Sequence, residues 1–461
     1  MNTNPEQPWS IHVSAKDTEL RLTKGALAVP EGLTPTIITL DEDQRFQTIE
    51  GFGASFTEAS AIALAALSPD QRQEVLKAYF DPVHGHGYTL ARTHINSCDF
   101  STGDWDYINE GDTSLESFSL EHDEALLFPL IRDACKVAGR PIKLVASPWS
   151  PPAWMKSNGD MKHGGTLLEP YHGLWARYIV RYVQEATAKG LDIWGLTLQN
   201  EPQAVQVWES CIYSGEDQRD FIRDHLGPAL HEAGLQDVKL MIWDHNKDEI
   251  FDFSQPILSD PDAARFVWGV AFHWYSGDDF ENLDKVHQAF PDKPMLFTEG
   301  CMEGGVKLGS WASAERYAHD ILGDLEHWTV GWIDWNMALD HTGGPNHVGN
   351  LCDAPVIADA RTNTVHYQSS FWAMGHFSRF IKPGAQRIHS AIDPASGLEK
   401  TAFLNTDQSV AMVILNRTDN TEAFEATLRG HRVQAAMPPH SIATLIWGGP
   451  DGVRHHGGHS Q

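Results

Sequence analysis

Two glutamates, Glu201 and Glu299, each stand at the end of an apolar run, LTLQNE at 196–201 and MLFTE at 295–299. A buried barrel strand has this pattern when its last residue reaches the barrel mouth, where active sites are built. Paired carboxylates on opposite sides of a glycosidic bond hydrolyse it, one protonating the leaving oxygen and the other attacking or activating water. Either acid alone could simply cap a strand end, but an Asn-Glu-Pro motif together with a second strand-end Glu favours a catalytic pair.

The elements that must position these acids form a repeating pattern of strands and helices. Helical patterns lie between most of the strand-like runs, clearest at 69–80, 122–138, 171–189 and 312–327, and Pro69 after Ser68 predicts a helix start. This alternation predicts an α/β fold, a (β/α)₈ TIM barrel, in which Glu201 closes the fourth strand and Glu299 the seventh. The eight strand-like runs are 48–55, 89–97, 143–150, 193–201, 239–246, 268–277, 294–300 and 330–338.

Both ends of the chain have a different pattern, with short alternating strands separated by turn residues. The strands are predicted at 9–40 and at 386–392, 400–404, 409–415, 421–427 and 431–446. We therefore expect one antiparallel β-sandwich domain, built from both chain termini and attached to the barrel. The predicted domains are residues 1–44 for the N-terminal strands, 45–374 for the barrel, 375–448 for the C-terminal sandwich and 449–461 for a disordered tail.

Composition restricts the partners of the protein. The formal net charge of −28 argues against nucleic acid and against an anionic membrane surface, because phosphates are repelled. A neutral substrate fits best, and sixteen Trp residues could supply stacking faces for sugars, although most aromatic side chains in a barrel belong to the core. No motif specifies an oligomeric state.

Five cysteines form an odd set without CxxC spacing, which indicates neither a zinc site nor a disulfide framework. The first ten residues are polar, and no run reaches the roughly 18 apolar residues that a membrane span needs. The sequence thus predicts no metal, no stable membrane insertion, and a cytoplasmic protein, or a secreted one if a leader was removed.

The motifs of this chain resemble glycoside hydrolase family thirty, and most closely its glucosylceramidase branch. The likeness runs in order from about residue 45 to 447. It is carried by GFGASFTEAS at 51–60, ARTHINSCDFS at 91–101, ASPWSPPAWMKSNG at 146–159, QNEP at 199–202, FHWYSG at 272–277, FTEG at 297–300, GWIDWNMALD at 331–340, GGPNHVGN at 343–350 and HFSRFIKPGAQR at 376–387.

This resemblance implies a retaining, exo-acting β-glycosidase that needs no metal or organic cofactor. It makes Glu201 the acid/base and Glu299 the nucleophile. Arg92 on the second strand is expected to keep Glu299 ionised, with Tyr275 as a hydrogen-bond donor. Glu201 must hold a proton, and we expect aromatic neighbours and the charge of Glu299 to raise its pKa.

The resemblance also implies a set of sugar-binding residues. Asn200 is expected to bind the 2-hydroxyl of the sugar. The residues expected to bind the other sugar hydroxyls and the ring face are Asp99, Trp149, Trp335 and Asn346. His273 is expected to orient the surroundings of Glu299. Structural roles remain open for several of them: Arg92 as a strand-end ion pair, Asn346 as a turn residue, and His273 and both tryptophans as core.

The expected substrates are terminal β-glucosides, either glucosylceramide-like or aryl and alkyl glucosides. Within the family, a β-xylosidase or a β-1,6-glucanase is the alternative, because both share the catalytic core. The alternative that is not an enzyme is a catalytically idle carbohydrate-binding protein that keeps the aromatic cleft. The retention of both glutamates with Asn200 and Arg92 weighs against the idle protein.

Overall fold

A computed structural model of the chain describes residues 9–25 and 27–448. The predicted tail at 449–461 and the first eight residues lie outside the described part. The chain divides into two compact units. One, which we call the sheet unit, comprises the described residues of Met1–Gly51, Gly309–Glu326 and Ser369–Gln461, and the other, the barrel unit, comprises Phe52–Leu308 and His327–Gln368.

The chain begins with three strands, β1 (Trp9–Ala15), β2 (Thr23–Gly25) and β3 (Thr36–Thr48). Eight parallel strands then close into a barrel, which confirms the predicted fold. They are β4 (Gly51–Phe56), β5 (Leu90–Ile95), β6 (Lys143–Pro148), β7 (Ile193–Thr197), β8 (Lys239–Asn246), β9 (Gly269–His273), β10 (Met295–Glu299) and β11 (Thr329–Asn336).

The barrel interior is filled by apolar side chains from its strands, among them Leu90, Val145, Met241 and Leu296. Because these residues occupy the middle of the barrel, the polar residues that follow them along each strand are left at the mouth. Gly53 allows the first two barrel strands to approach closely, since a Cβ there would lie 1.7 Å from the Leu90 carbonyl oxygen. The apolar part of each barrel strand therefore determines which of its residues reach the mouth of the barrel.

The described residues form twelve α-helices, which alternate with the strands along the chain. The predicted start of the second helix is confirmed, because Pro69 is its first residue and the Ser68 hydroxyl accepts the Gln71 backbone N–H. The helices are α1 (Glu58–Ala65), α2 (Pro69–Phe80), α3 (Glu121–Ala125), α4 (Leu127–Ala138), α5 (His172–Ala188), α6 (Gly215–Phe221), α7 (Gly227–Glu232), α8 (Ile250–Leu258), α9 (Pro261–Ala264), α10 (Phe280–Ala289), α11 (Ala312–Glu326) and α12 (Ser369–Ser378).

A small sheet in the barrel unit contains β12 (Leu339–Asp340), β13 (Val356–Asp359) and β14 (Thr364–Tyr367). The sheet unit adds six C-terminal strands to β1, β2 and β3, and these also confirm the prediction. They are β15 (Gln386–Ala391), β16 (Leu398–Leu404), β17 (Val410–Asn416), β18 (Glu422–Leu428), β19 (His431–Met437) and β20 (Ser441–Trp447).

The nine strands of the sheet unit form one sheet, in the order β19-β18-β3-β15-β16-β17-β20-β1-β2. All neighbouring pairs are antiparallel except β3 with β18. Buried residues from opposite ends of this order, such as Phe424 on β18 and Ile11 on β1, belong to one apolar cluster. The sheet therefore folds over on itself to enclose a core, as in a sandwich.

Residues 309–326 and 369–378, which hold α11 and α12, belong to the sheet unit, whereas the predicted barrel domain of 45–374 included most of them. Within the part of the chain that the structure describes, the helices are all too short or too polar to cross a bilayer.

Candidate active site

A pocket of about 150 Å³ lies among the residues that follow the carboxyl ends of the barrel strands. Seven of the ten residues proposed from the sequence line it: Asp99, Trp149, Asn200, Glu201, Tyr275, Glu299 and Trp335. Arg92 and His273 lie beneath the pocket and are fully buried, and Asn346 lies beside it. The structure thus brings the proposed residues together at one site.

Arg92 on β5 makes four side-chain hydrogen bonds beneath the pocket. One terminal nitrogen donates to Glu299 Oε2 at 2.6 Å. The other donates to Asn200 Oδ1 at 2.9 Å and to Asp244 Oδ2 at 2.7 Å, and Nε donates to Ser147 Oγ at 3.0 Å. Burial alone would lower the pKa of Arg92, but Asp244 and Glu299 raise it above its usual value. Arg92 is therefore a permanent cation that fixes the nearest oxygen of Glu299.

Trp149 and Trp335 hold this guanidinium from the side. Their rings stack on each other with centroids 5.2 Å apart, and both rings are almost fully buried. The Arg92 guanidinium carbon lies 4.7 Å from the Trp149 ring centroid and 5.5 Å from that of Trp335. Because a planar guanidinium is attracted to an aromatic face, the two rings contribute to holding Arg92 as well as lining the pocket.

Asp244 is one residue of this site that was not proposed from the sequence. Its Oδ2 accepts from Arg92 and from the Thr197 hydroxyl at 2.6 Å. Its Oδ1 accepts from the Thr298 hydroxyl at 2.6 Å and lies 3.0 Å from His273 Nε2. Although burial opposes it, Arg92 and His273 hold the pKa of Asp244 far below its usual value. The signal was present, since Asp244 also ends an apolar strand, KLMIWD at 239–244.

His273 at the end of β9 contacts Glu201, not Glu299. Its Nδ1 lies 3.2 Å from Glu201 Oε1 and its Nε2 bonds Asp244, so the expectation that it orients the surroundings of Glu299 is incomplete. Burial lowers the pKa of His273, but the charge of Glu299 and the bonds to Asp244 and Glu201 raise it to about 9. At neutral pH the imidazole is therefore protonated and donates to both carboxylates.

The pKa of Glu201 departs from the sequence expectation. Burial acts to raise this pKa, but the hydrogen bond to His273 and the nearby His245 lower it below its ordinary value. For Glu299, burial and the charge of Glu201 raise the pKa, while His273 and Arg92 oppose that rise. The proton that an acid catalyst needs is thus held by the Glu201–His273 pair, mainly on the imidazole.

The two glutamates face each other at short range. One carboxylate oxygen of Glu201 lies within 4.8 Å of one of Glu299. The Tyr275 hydroxyl donates to Glu299 Oε1 at 3.0 Å, so each oxygen of Glu299 has one donor, as the sequence analysis expected. A carboxylate held at both oxygens cannot rotate freely, so Glu299 keeps one orientation at the pocket.

The backbone that presents Glu201 is strained. Glu201 has φ 47°, and the neighbouring strand end contains Trp243 at φ 69° and Asp244 at φ 63°. Such left-handed conformations of non-glycine residues cost on the order of 1–3 kcal/mol each. The Glu201 N–H donates to the Asp244 carbonyl at 3.0 Å, which joins the two strained segments. The fold maintains this strain where it directs Glu201 into the pocket.

Asp99 lines the pocket and is bonded by two asparagines. Burial, with the charges of Glu299 and Glu209, raises the pKa of Asp99 to about 8 despite the amide bonds it accepts. Asn346 Nδ2 donates to Asp99 Oδ2 at 3.2 Å, and Asn350 Nδ2 donates to the same oxygen at 3.1 Å. Asn350 lines the pocket, whereas the Asn346 Oδ1 accepts backbone N–H groups of its own turn.

Asn350 was missed because the motif GGPNHVGN contains two asparagines, and sequence alone does not tell which one faces the pocket. Gln206, Trp208, His245 and Asn246 also line the pocket and were not proposed as site residues. Gln206 and Trp208 lie in the loop that follows Glu201.

Two groups of side chains have the donor atoms and spacing that a metal ion requires, among the described residues: Glu201, His273 and Glu299 in one, and Asp104, Glu209 and His347 in the other. In each group the carboxylates are already paired with cationic side chains. Arg92 and His273 pair with the carboxylates of the first group, and His347 and Lys162 pair with those of the second group. We assign neither group to a metal.

Comparison with protein families matches both units. The model "Glycosyl hydrolase family 30 TIM-barrel domain" matches residues 49–381, and "Glycosyl hydrolase family 30 beta sandwich domain" matches residues 384–445.

Individual relatives agree with these matches. The lysosomal acid glucosylceramidase of Mus musculus is 36% identical over 451 residues, covering 93% of this chain and 86% of the relative. An endo-1,6-β-D-glucanase of Neurospora crassa is 30% identical over 406 residues, covering 84% of this chain and 82% of the relative. The crystal structure of SrfJ from Salmonella typhimurium has a TM-score of 0.89 at 35% identity, covering 95% of this chain and 99% of SrfJ.

The buried position of Arg92 yields a stability prediction. Arg92→Met leaves Glu299 and Asp244 buried without their cation, which should destabilise the protein by about 3–5 kcal/mol. Arg72→Met is the matched control, because Arg72 pairs with Asp133 at 2.9 Å where both side chains are about a third exposed. Loss of this exposed ion pair should lower the free energy of unfolding by less than about 1 kcal/mol. Thermal unfolding followed by near-UV circular dichroism measures both, and equal shifts for the two variants would contradict the account.

Proposed function

The chain belongs to glycosyl hydrolase family 30, and from that premise we propose that it hydrolyses terminal β-glucosides by double displacement, with Glu299 as nucleophile and Glu201 as acid/base. The observation that carries the proposal is the separation of the two acids. Retaining glycosidases hold their carboxyl groups about 5–5.5 Å apart, and inverting enzymes about 6.5–9.5 Å apart. The separation of less than 4.8 Å between oxygens of Glu201 and Glu299 supports retention.

In the first step, Glu299 attacks the anomeric carbon and forms the glycosyl-enzyme. Arg92 and Tyr275 favour the ionised form of Glu299 and hold both of its oxygens. The attack consumes the charge on Glu299, but Arg92 keeps its ion pair with Asp244. The guanidinium therefore stays in place through the reaction, which avoids reorganising the site at the transition state.

The leaving oxygen takes a proton from Glu201. We infer that this proton comes from His273, which shares it with Glu201 across the 3.2 Å contact between Nδ1 and Oε1. Transfer across this bond leaves a neutral imidazole and a protonated Glu201, whose proton then passes to the glycosidic oxygen. In the second step, the Glu201 carboxylate accepts a proton from the water that attacks the glycosyl-enzyme, as microscopic reversibility requires.

Asn200 is oriented for the 2-hydroxyl of the sugar. Its Oδ1 accepts from Arg92, which can only donate, so its NH₂ group is the one left for the substrate. A hydrogen bond to the 2-hydroxyl strengthens as the oxocarbenium ion forms. Arg92 thus fixes both the nucleophile and the donor that stabilises the transition state.

The pocket and its rim support a single terminal sugar with an apolar leaving group. The volume of about 150 Å³ suits one sugar ring. Val205 and Val207 flank the pocket residue Gln206, and they are 67% and 57% exposed. Because exposed apolar side chains at a binding site favour apolar ligands, glucosylceramide-like, alkyl and aryl glucosides are the proposed substrates. The relative from Mus musculus is a glucosylceramidase, which supports this choice.

The second candidate is a β-1,6-glucanase, favoured by the relative from Neurospora crassa, and β-xylosidase activity shares the same catalytic pair. A panel of nitrophenyl β-glycosides of glucose, xylose, fucose, galactose and glucuronic acid, with β-1,6-glucan, separates the candidates. Fastest hydrolysis of the glucoside supports the proposal, and a preference for the polymer or the xyloside rejects it. Binding without turnover of any substrate would indicate the idle carbohydrate-binding protein.

The variant Glu201→Ala separates the two carboxylate roles. Alkyl glucosides should lose about 10²–10⁴-fold in kcat, because they need a proton on the leaving oxygen. A dinitrophenyl glucoside should still form the glycosyl-enzyme at nearly the wild-type rate. Azide should then restore turnover and give a β-glucosyl azide, since the small anion enters the space left by the carboxylate. An α-azide, or rescue of Glu299→Ala instead, would reverse the two assignments.

From the Glu201–His273 pair we predict the pH above which activity falls. The raised pKa of His273, about 9, means that the shared proton is present below that pH and is lost above it. For an alkyl glucoside, kcat/KM should therefore fall as pH rises through about 9. In His273→Gln the proton must be held by Glu201 alone, so the fall should move to lower pH. An unchanged alkaline limit in this variant would rule out the shared proton.

A further inference from the structure

A second, partly buried ion cluster lies beside the pocket, centred on His347 in the turn at residues 343–350. The side chain of His347 is 9% exposed. Its Nε2 lies 3.2 Å from Glu209 Oε2, and its Nδ1 lies 3.6 Å from Asp104 Oδ1. Asp104 Oδ2 is paired with Lys162 at 2.6 Å. The imidazole therefore lies between two carboxylates from two different loops.

Glu209 depends on this contact. Its side chain is fully buried, and its Oε1 has no hydrogen-bond partner in the part of the chain that the structure describes. His347 is thus the side chain that bonds a buried carboxylate whose burial is otherwise costly. Glu209 belongs to the loop after Glu201, which also places Gln206 and Trp208 in the pocket wall. The contact links this loop to the turn at 343–350.

The same turn carries the partners of Asp99. The His347 N–H donates to the Asp99 carbonyl at 3.1 Å. One residue before it, Asn346 bonds the Asp99 carboxyl, and three residues after it, Asn350 bonds the same oxygen and lines the pocket. Movement of His347 would therefore move both asparagines relative to Asp99, which lines the same pocket as Glu201 and Glu299.

We propose that His347 is a positioning residue: its imidazolium joins the turn at 343–350 to Glu209 and Asp104, and so holds Asp99 and Asn350 in place for the hydroxyls of the terminal sugar. The inference rests on the proposed function, since it assigns these residues to sugar binding. It adds a residue that touches no substrate and acts through its neighbours.

The link depends on charge. The hydrogen bond to Glu209 raises the pKa of His347, burial opposes the rise, and the charges of Glu209, Asp104 and Asp99 add to it. Lys162 faces the same cluster, and Lys156 acts on Glu209 from a distance. Below the His347 pKa the imidazolium pairs with both carboxylates, and above it the pairs are lost. Substrate affinity should therefore be favoured at lower pH.

The first test compares His347→Gln with His319→Gln. His319 is a matched control, because it pairs with Glu399 at 2.6 Å in the sheet unit. His347→Gln should raise KM for an alkyl β-glucoside about tenfold at pH 5, or about 1.4 kcal/mol, with kcat changed less than about threefold. His319→Gln should change neither. Equal effects of the two variants, or a loss in kcat alone, would overturn the proposal.

The pH profile separates positioning from general structural damage. The ratio of KM in His347→Gln to KM in the wild type should be about ten at low pH. This ratio should fall toward one as the His347 imidazole of the wild type loses its proton. The wild type then lacks the ion pairs with Glu209 and Asp104 that the variant also lacks. A ratio that stays constant with pH would contradict the proposal.

A mutant cycle tests the contact with Glu209. Glu209→Gln and His347→Gln should each raise KM, and the double variant should raise it no more than the more severe single variant, because both remove one interaction. Strictly additive effects on ln KM would mean that the two residues act independently.

Hydrogen exchange keeps this proposal separate from the proposed function. In His347→Gln, the backbone amides of residues 343–352 should exchange faster than in the wild type, while those of β7 and β10 stay unchanged. This result does not require activity. If the wild type hydrolyses no glycoside, the proposed function fails while the exchange result still reports on the link. Unchanged exchange at 343–352 would overturn the link itself.

Discussion

The site depends on one buried cation, Arg92. Its three nitrogens bond Glu299, which we propose as the nucleophile, Asn200, which we propose binds the sugar, and the two groups beneath them, Asp244 and Ser147. A guanidinium suits this place because it is planar, always charged and able to donate in several directions at once. Burial of an ion is costly unless it is paired and hydrogen-bonded on all sides. The surrounding strand ends therefore have to supply carboxylates and oxygens that meet at one point.

The barrel meets this requirement through its geometry. Parallel strands end at one rim, so β5, β7, β8 and β10 bring Arg92, Asn200, Asp244 and Glu299 together although they are far apart in sequence. The neighbouring strand β9 contributes His273, which bonds Asp244 on one side and Glu201 on the other. Asp244 thus joins the part of the site that holds negative charge on Glu299 to the part that holds a proton near Glu201. One arrangement of buried ions serves both carboxylate roles.

Much of this could be predicted from the sequence, because the decisive signals are local. An apolar run that ends in a carboxylate identified Glu201 and Glu299, and Ser68 followed by Pro69 located the start of α2. The pairing of buried side chains was not predictable in the same way. The partner of His273 and the role of Asp244 depend on which side chains converge beneath the pocket. The choice between Asn346 and Asn350 depends on the path of a turn, and the lowered pKa of Glu201 depends on a contact with His273.

We propose that Arg92 holds Glu299 as the nucleophile, while Glu201 transfers the proton. Mass spectrometry of the protein after reaction with a 2-deoxy-2-fluoro-β-glucosyl fluoride tests it directly, because this reagent forms the glycosyl-enzyme but releases it slowly. We expect one added sugar, located by peptide fragmentation on Glu299, and none when Glu299 is replaced by Gln. A label on Glu201, or full labelling of Glu299→Gln at the wild-type rate, would contradict it.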